Sequence, residues 1–316
     1  MIVVGSGVIG LTTALVLAES GRRVRIWTRD PAERTTSAVA GALWWPYAIE
    51  PQALAREWAL RSLSVYEELA ERPGETGVRL VEGVMGGALP AEQGPWAAAR
   101  LPGLRASMAE EYTGTGLWAR LPLIDMPAHL SWLRSRFLRA GGTVEEHTVT
   151  DLAEARAEAG VVVNCTGLGA RELVADPEVR PVRGQLVIVE NPGIRTWLVA
   201  TDAAAGTTTY LFPQPGRLVL GGTTDADAWS LTPDPSVAAE IVERCAVLRP
   251  EVAGARVLGH RVGLRPVRSA VRLERDAPAG GGSGAGGVLV HNYGHGGAGV
   301  TVAWGCAAAV PGLVSG

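Results

Sequence analysis

The chain has 316 residues, 47% of them hydrophobic, and a net charge of −3, enough for two domains with sizeable cores and without the basic footprint that nucleic acid requires. No apolar run approaches the ~20 residues that span a bilayer, so no membrane segment is expected. All 29 basic residues are Arg, which excludes a P-loop lysine, a Schiff-base lysine and a lysine general base.

The first apolar run, Ile2, Val3 and Val4, passes directly into Gly5, Gly7 and Gly10. An amphipathic stretch over 8–20 follows, with Leu11, Ala14, Leu15 and Leu17 apolar. This reads as strand, tight turn and helix. In such a turn Gly5 permits the bend, Gly7 lets a diphosphate approach the backbone, and Gly10 lets helix and strand pack closely. Amides at the helix start, helped by the positive end of the helix dipole, face the anion. A GxGxxG alone is weak in a chain with 41 glycines; the strand before it, the helix after it and Gly21 at the helix end give it weight. A second strand over 24–28 ends at Arg29 and Asp30. Asp30 stands about twenty residues past the motif, where an acid meets an adenosine ribose hydroxyl. A strand starting at Met1 or Ile2 leaves no room for a leader peptide, so none is expected.

Small residues fill 35–42, and Leu43, Trp44, Trp45, Pro46 and Tyr47 follow, an aromatic group that could wall a pocket or fill a core. Helical periodicity over 54–71 puts Leu54, Trp58, Ala59, Leu63 and Tyr66 on one side. A strand is expected over 78–84, residues 90–116 are broken by Pro and Gly, and a helix over 127–141 opens with Pro127 and closes with Gly141. A strand over 143–150 and a short helix over 152–159 precede Val161, Val162 and Val163, an apolar strand of the kind buried inside a parallel sheet. It runs into Asn164, Cys165, Thr166 and Gly167, either a plain strand end or a second approach to the diphosphate. From Arg183 to about Gly222 the pattern changes to short strands, 185–189, 197–200, 208–212 and 218–220, with Pro and Gly between them. That is an antiparallel sheet and hence a second domain. A helix is expected over 237–246, and the Gly, Ala and Ser run over 278–287 reads as a mobile hairpin tip without chemistry.

Two later stretches carry chemistry. Over 261–268, strand alternation puts Arg265 and Arg268 on opposite faces, so at most one points inward. An inward Arg among Leu264, Pro266 and Val267 needs an anion, and its planar fork matches a carboxylate. Over 288–306, Val288, Leu289 and Val290 lead into His291, Asn292, Tyr293, Gly294, His295, Gly296, Gly297, Ala298 and Gly299, with a closing helix from about Val300. Again a strand and a glycine turn deliver a helix start that stabilises negative charge. His291 and His295 are four apart, a metal-ligand spacing only on a helix; among glycines they read as core or turn residues, and no metal is expected. Cys165, Cys245 and Cys306 are odd in number and far apart, which reads as reduced thiols in a cytoplasm.

Taken in order, Gly5-Ser6-Gly7-Val8-Ile9-Gly10, Leu43-Trp44-Trp45-Pro46-Tyr47, Asn164-Cys165-Thr166-Gly167, Gly263-Leu264-Arg265-Pro266-Val267-Arg268 with Arg272-Leu273-Glu274, and His291-Asn292-Tyr293-Gly294-His295-Gly296-Gly297 resemble the D-amino-acid oxidase family across the whole length. The last two are specific to that family. The resemblance implies an α/β fold: a Rossmann-like, glutathione-reductase-type FAD-binding domain with an α+β substrate domain on a mainly antiparallel sheet. The FAD domain is expected over 1–50, 125–182 and 262–316, the substrate domain over 51–124 and 183–261. Carried onto this chain, the resemblance implies that Arg265 holds the substrate carboxylate, that Tyr210 donates its hydroxyl to the same group, and that the Gly297 carbonyl accepts from the substrate amine. It implies cofactor contacts for Gly5, Ser6, Gly7, Val8, Ile9, Gly10, Arg29, Asp30, Thr36, Ser37, Gly41, Ala42, Leu43, Val149, Thr166 and Gly167. Around the flavin's pyrimidine edge it implies Gly296, Gly297, Ala298, Gly299, Val300 and Thr301.

The chain departs from the family at the pocket roof. A second tyrosine is usual there, but residues 206–209 are Gly-Thr-Thr-Thr and Thr224 follows Gly221-Gly222-Thr223, so a short or absent lid is expected. Relatives that take acidic D-amino acids carry a further Arg near Gly221-Gly222; Thr224 here points to neutral substrates. Trp45, where a polar residue is common, narrows the pocket. The implied reaction is oxidative deamination of neutral D-amino acids by hydride transfer to FAD, with O2 as acceptor, giving 2-oxo acids, ammonia and hydrogen peroxide. Positioning rather than a side-chain base supplies the catalysis. A glycine- or sarcosine-type amine oxidase, a quinone-linked dehydrogenase and a flavin-binding protein without turnover are the competing readings, and the intact Arg265 motif speaks against the last. All of them leave room for a homodimer.

Overall fold

The computed structural model describes residues 1–202, 206–276 and 287–315. These form one fourteen-stranded sheet whose two halves differ in strand sense. The parallel half runs, in space, Val288–His295, Val161–Asn164, Ile2–Val4, Arg25–Thr28 and Thr143–Glu146. Ile2, Val3, Ile26, Val162 and Val163 are wholly buried, because helices cover both faces of this half and leave no polar side to alternate. Helices Val8–Glu19, Met126–Arg139 and Gly299–Ser315 pack together on one face. On the other, Leu152–Glu158 sets Leu152 and Ala155 against Trp27, Val162 and Leu289.

The second half runs Arg105–Ala106, Gly116–Ile124, Val78–Gly86, Trp197–Asp202, Thr207–Gln214, Arg217–Gly221, Arg180–Val189 and Val257–Arg275, with Asp225–Ala226 paired to Arg180–Val189 off this path. Its neighbours are antiparallel except Val78–Gly86 with Trp197–Asp202. One face buries Val187, Leu198, Leu211 and Leu220 against Ile241 and Cys245 of helix Pro235–Leu248. The opposite face, with Leu186, Phe212 and Val219, joins the main core. The halves meet at Val257–Arg275, which pairs with Arg180–Val189 along one edge and Val288–His295 along the other. Among the described residues no helix is long and apolar enough to cross a membrane.

The helix expected over 54–71 is Gln52–Leu69, with Trp58, Ala59, Leu63 and Tyr66 buried as their spacing implies. Leu54 instead is exposed. It lies in the first turn, ahead of the crossing at which Trp58 and Ser62 meet Gly305 of the last helix. The strand Gly116–Ile124 was not expected, because Pro122 interrupts its apolar pattern and a Pro- and Gly-broken region precedes it. The strand over 143–150 stops at Glu146, and the one expected over 288–290 runs on to His295, since Val257–Arg275 continues to offer it a partner. All but Gly287 of the hairpin tip expected over 278–287 lies outside the described residues.

Candidate active site

The first glycine turn is closed by main chain. Gly5 sits at φ +109°, a conformation that side chains resist. A methyl group on Gly10 would lie 2.0 Å from the Gly5 carbonyl oxygen, and one on Gly5 would lie 2.6 Å from that of Cys165. The exit of Val161–Asn164 is thus pressed against the turn, with Cys165 donating its amide to Val4. Asn164 Oδ1 accepts the Thr166 amide at 3.2 Å and its hydroxyl at 2.7 Å. Thr166 Cα lies 3.6 Å from where a Gly5 methyl would be, while Gly167 lies against Pro266.

Other expected cofactor residues gather here. Ser37 Oγ accepts the Val8 amide at 2.9 Å, at the helix N-terminus. The Ser6 hydroxyl bonds that of Thr28 at 2.8 Å and reaches the Asp30 carbonyl at 2.9 Å. Arg29 pairs with Asp30 at the surface. Val149 packs on the cluster of Val4 and Trp27. Thr36 donates to the Leu264 carbonyl at 3.1 Å, which joins this side to the strand carrying Arg265. Ala42 and Leu43 pair with Ile124 and Leu123.

The second turn lies at the other end. The Gly296 amide donates to Pro266 at 2.9 Å, which seats the turn against the Arg265 strand. Helix Gly299–Ser315 begins there and is pinned twice. Tyr66 donates to the Val300 carbonyl at 2.8 Å, and its burial pushes its pKa up, which keeps it a donor. Thr301 Oγ1 donates to the Trp45 carbonyl at 3.0 Å. Trp45 is half-buried and its ring meets that of Trp96 at 6.1 Å. Trp44, by contrast, is core: it is wholly buried and its Nε1 donates to the Ala59 carbonyl. Tyr47 is exposed.

Strand alternation separates the two arginines. Arg268 turns to Asp176, Nε to Oδ2 2.9 Å, where Tyr293 also donates at 2.8 Å. Burial works to raise the Asp176 carboxyl, but these hydrogen bonds and the Arg268 charge bring it below its ordinary value. Arg265 turns the other way. Its Nη1 donates to the Thr223 carbonyl at 3.0 Å. Its guanidinium lies across Gly184, where a methyl would stand 2.5 Å from Nη2, and its Cδ lies 3.6 Å from where a Gly297 methyl would be.

Tyr210 faces Gly221 in register, and a methyl there would be 2.1 Å from its Cζ. The ring stacks on Phe212 with centroids 4.6 Å apart. Burial raises the Tyr210 pKa, and the adjacent, hydrogen-bonded Arg265 pulls it the other way without reversing it. The phenol is protonated. A protonated phenol has a proton to donate.

Arg265, Tyr210 and Gly297 are therefore neighbours. Thr224 is not among them: it is exposed, and its neighbour Thr223 makes the contact with Arg265 through a main-chain carbonyl. Thr223, Gly184, Gly221 and Phe212 were not anticipated. The close approach at Gly184 shows only in the structure, where the residue stands opposite Gly263 inside paired strands.

His291 faces Asn164 at 3.4 Å; burial first, then Arg272, lowers its pKa to about 4. His295 is buried, its pKa pushed down to about 3 by burial, and its Nε2 has no hydrogen-bond partner among the described residues. Both are neutral near pH 7. Burial holds the thiols of Cys165 and Cys245 protonated by pushing their pKa values up to about 12.

A glycine cradle for a diphosphate, continuous with a sheet that offers a guanidinium and a phenol at its far end, defines a dinucleotide-dependent oxidoreductase of the flavin type. The fold agrees: the crystal structure of glycine oxidase from Geobacillus kaustophilus superposes with a TM-score of 0.80, covering 99% of this chain and 94% of that one at 20% identity. Over residues 1–310 the sequence matches the FAD dependent oxidoreductase family (DAO), and the chain belongs to it. It is 73% identical to a D-amino-acid oxidase of Streptomyces coelicolor, over 97% of this chain and 94% of that protein. It is 46% identical to one of Rubrobacter xylanophilus, over 97% and 93%. FAD is thus the cofactor of this family, and the tight turn at Gly5 and Gly10, followed at once by the start of helix Val8–Glu19, is of the kind that presents main-chain amides to a diphosphate.

Proposed function

We propose that this chain is an FAD-dependent oxidase of neutral D-amino acids. The observation that carries the reading is the Arg265 and Tyr210 pair set beside Gly297. Bound there, FAD would supply the two-electron acceptor for the substrate's α-hydrogen and the route by which O2 becomes hydrogen peroxide.

The protein's part is placement. Arg265 and the phenol proton of Tyr210 take the carboxylate, with hydrogen bonds to charge worth about 1.5–3 kcal/mol each. The Gly297 carbonyl takes the amine. Two substituents fixed at the α-carbon leave one enantiomer with its hydrogen toward the cofactor, and the entropy of that arrangement is spent on binding.

A preference for neutral side chains is supported by the state of the nearby cations. Arg183 is paired with Asp225 at 3.0 Å, and Arg244 donates to the Gly222 carbonyl at 3.2 Å. We also divide the chain into an FAD domain of 1–50, 125–182 and 262–316 and a substrate domain of 51–124 and 183–261; the change of strand sense at Val257–Arg275 supports this. The three buried, unpaired cysteines fit a reducing cytoplasm.

The test is anaerobic bleaching of the flavin by D-alanine, D-valine, D-aspartate, L-alanine, glycine and sarcosine, with peroxide measured in air. Fast bleaching by the neutral D-amino acids is expected. Bleaching by glycine and sarcosine alone, or by none of the panel, would overturn the reading.

A further inference from the structure

We propose that Thr223, held by Asp225 and Arg183, is a positioning residue that orients Arg265; the role rests on the reading of Arg265 as the carboxylate-binding residue. Thr223 opens the segment 223–234, whose large apolar side chains, Trp229 and Leu231, are exposed. They do not anchor it to a core.

Polar pins do so instead. Arg183 is 8% exposed and spends its donors on this segment: Nη1 on Asp225 Oδ2 at 3.0 Å, Nε on the Ser230 carbonyl at 3.0 Å, and Nη2 on the Thr232 carbonyl at 2.9 Å. Nη2 also donates to Gln185 Oε1 at 2.9 Å, and Gln185 Nε2 donates to the Asp234 carbonyl at 2.7 Å. Within this frame the Thr223 hydroxyl accepts the Gln185 amide at 3.1 Å and donates to Asp225 Oδ2 at 3.2 Å. Donor and acceptor are both used, so the residue cannot rotate freely. Its carbonyl is left aimed at Arg265 Nη1, 3.0 Å away.

The choice of a carbonyl has an electrostatic consequence. A carboxylate at that place would fix the guanidinium equally well but would neutralise it and compete with the substrate. A neutral acceptor fixes the plane and leaves the full charge for the incoming anion. Asp225, the carboxylate bonded to Thr223, is itself taken up by Arg183. Gly184 completes the seat, since only a residue without a side chain lets the guanidinium lie on the strand.

The test uses the FAD-loaded enzyme and two readouts, the split of KM against kcat for D-alanine and the dissociation constant of benzoate from its perturbation of the flavin spectrum. Thr223→Val keeps the shape and removes the hydroxyl. It should raise KM and the benzoate constant about tenfold with kcat within twofold, and Thr223→Ser should return both toward wild-type values. Asp225→Asn, a milder change at the next link, should raise both about threefold. If Thr223→Val and Asp225→Asn leave both constants unchanged while Arg265→Ala raises them, the positioning role is overturned and the reading of Arg265 stands. If Arg265→Ala changes neither constant, the reading of Arg265 fails, and the role of Thr223 with it.

Discussion

Glycines crowd both ends of the site, but what crowds them differs. At the first turn the space a methyl would need is held by main chain, the carbonyl of Gly5 for Gly10 and that of Cys165 for Gly5. At the proposed substrate end it is held by side chains: the Arg265 guanidinium over Gly184 and the Tyr210 ring over Gly221. The first kind of glycine lets two segments of backbone meet; the second lets a functional side chain lie flat on a sheet. A methyl at the first end must move the fold, whereas a methyl at the second need move only a side chain.

Substitutions at the two ends should therefore fail differently. Gly10→Ala forces apart a helix and a strand that carry the core, and overpacking of this kind costs about 1–3 kcal/mol or more. It should yield protein with little FAD and a lowered Tm, measured by flavin absorbance against protein and by thermal unfolding. Gly184→Ala should leave FAD content and Tm near wild type and raise KM for D-alanine on the order of 30-fold, about 2 kcal/mol of lost binding. A Gly184→Ala enzyme that loses FAD, or a Gly10→Ala enzyme that loses only substrate affinity, would erase the distinction.

A smaller effect comes from pH. His129, His291 and His295 are buried, and burial lowers their pKa values from 6.5 to about 4, about 4 and about 3. The unfolded chain then binds protons that the folded chain refuses, so stability is intact above pH 6.5 and falls as pH drops toward the folded values. Each should remove about 1 kcal/mol between pH 6.5 and 5.5. The loss should appear in urea unfolding midpoints and be cut by roughly a third by replacing His129 with Gln.

The same contrast governs how much of the molecule could be read from its sequence. The first turn is contiguous, and Ile2 to Gly10 spell strand, turn and helix within ten residues of chain. Arg265 was legible because a charge among Leu264, Pro266 and Val267 needs an explanation. Arg268, read as facing the other way, does so and meets Asp176. Thr223 could not be found, because it acts through a carbonyl that every residue possesses, and Thr224 was named in its place. Trp44 was ambiguous because nothing in its neighbours distinguishes a pocket wall from a core; its burial under Ala59 settles that. Gly116–Ile124 was missed because Pro122, tolerated in register with Leu80, reads as a strand breaker.

The most direct test of the account is anaerobic titration of FAD-loaded wild-type and Arg265→Ala enzymes with D-alanine, following the flavin absorbance. The account predicts that the wild type bleaches fully, and that Arg265→Ala binds FAD normally but needs roughly 100-fold or more D-alanine for the same bleaching rate, about 3 kcal/mol. Equal concentration dependence in the two proteins would contradict it.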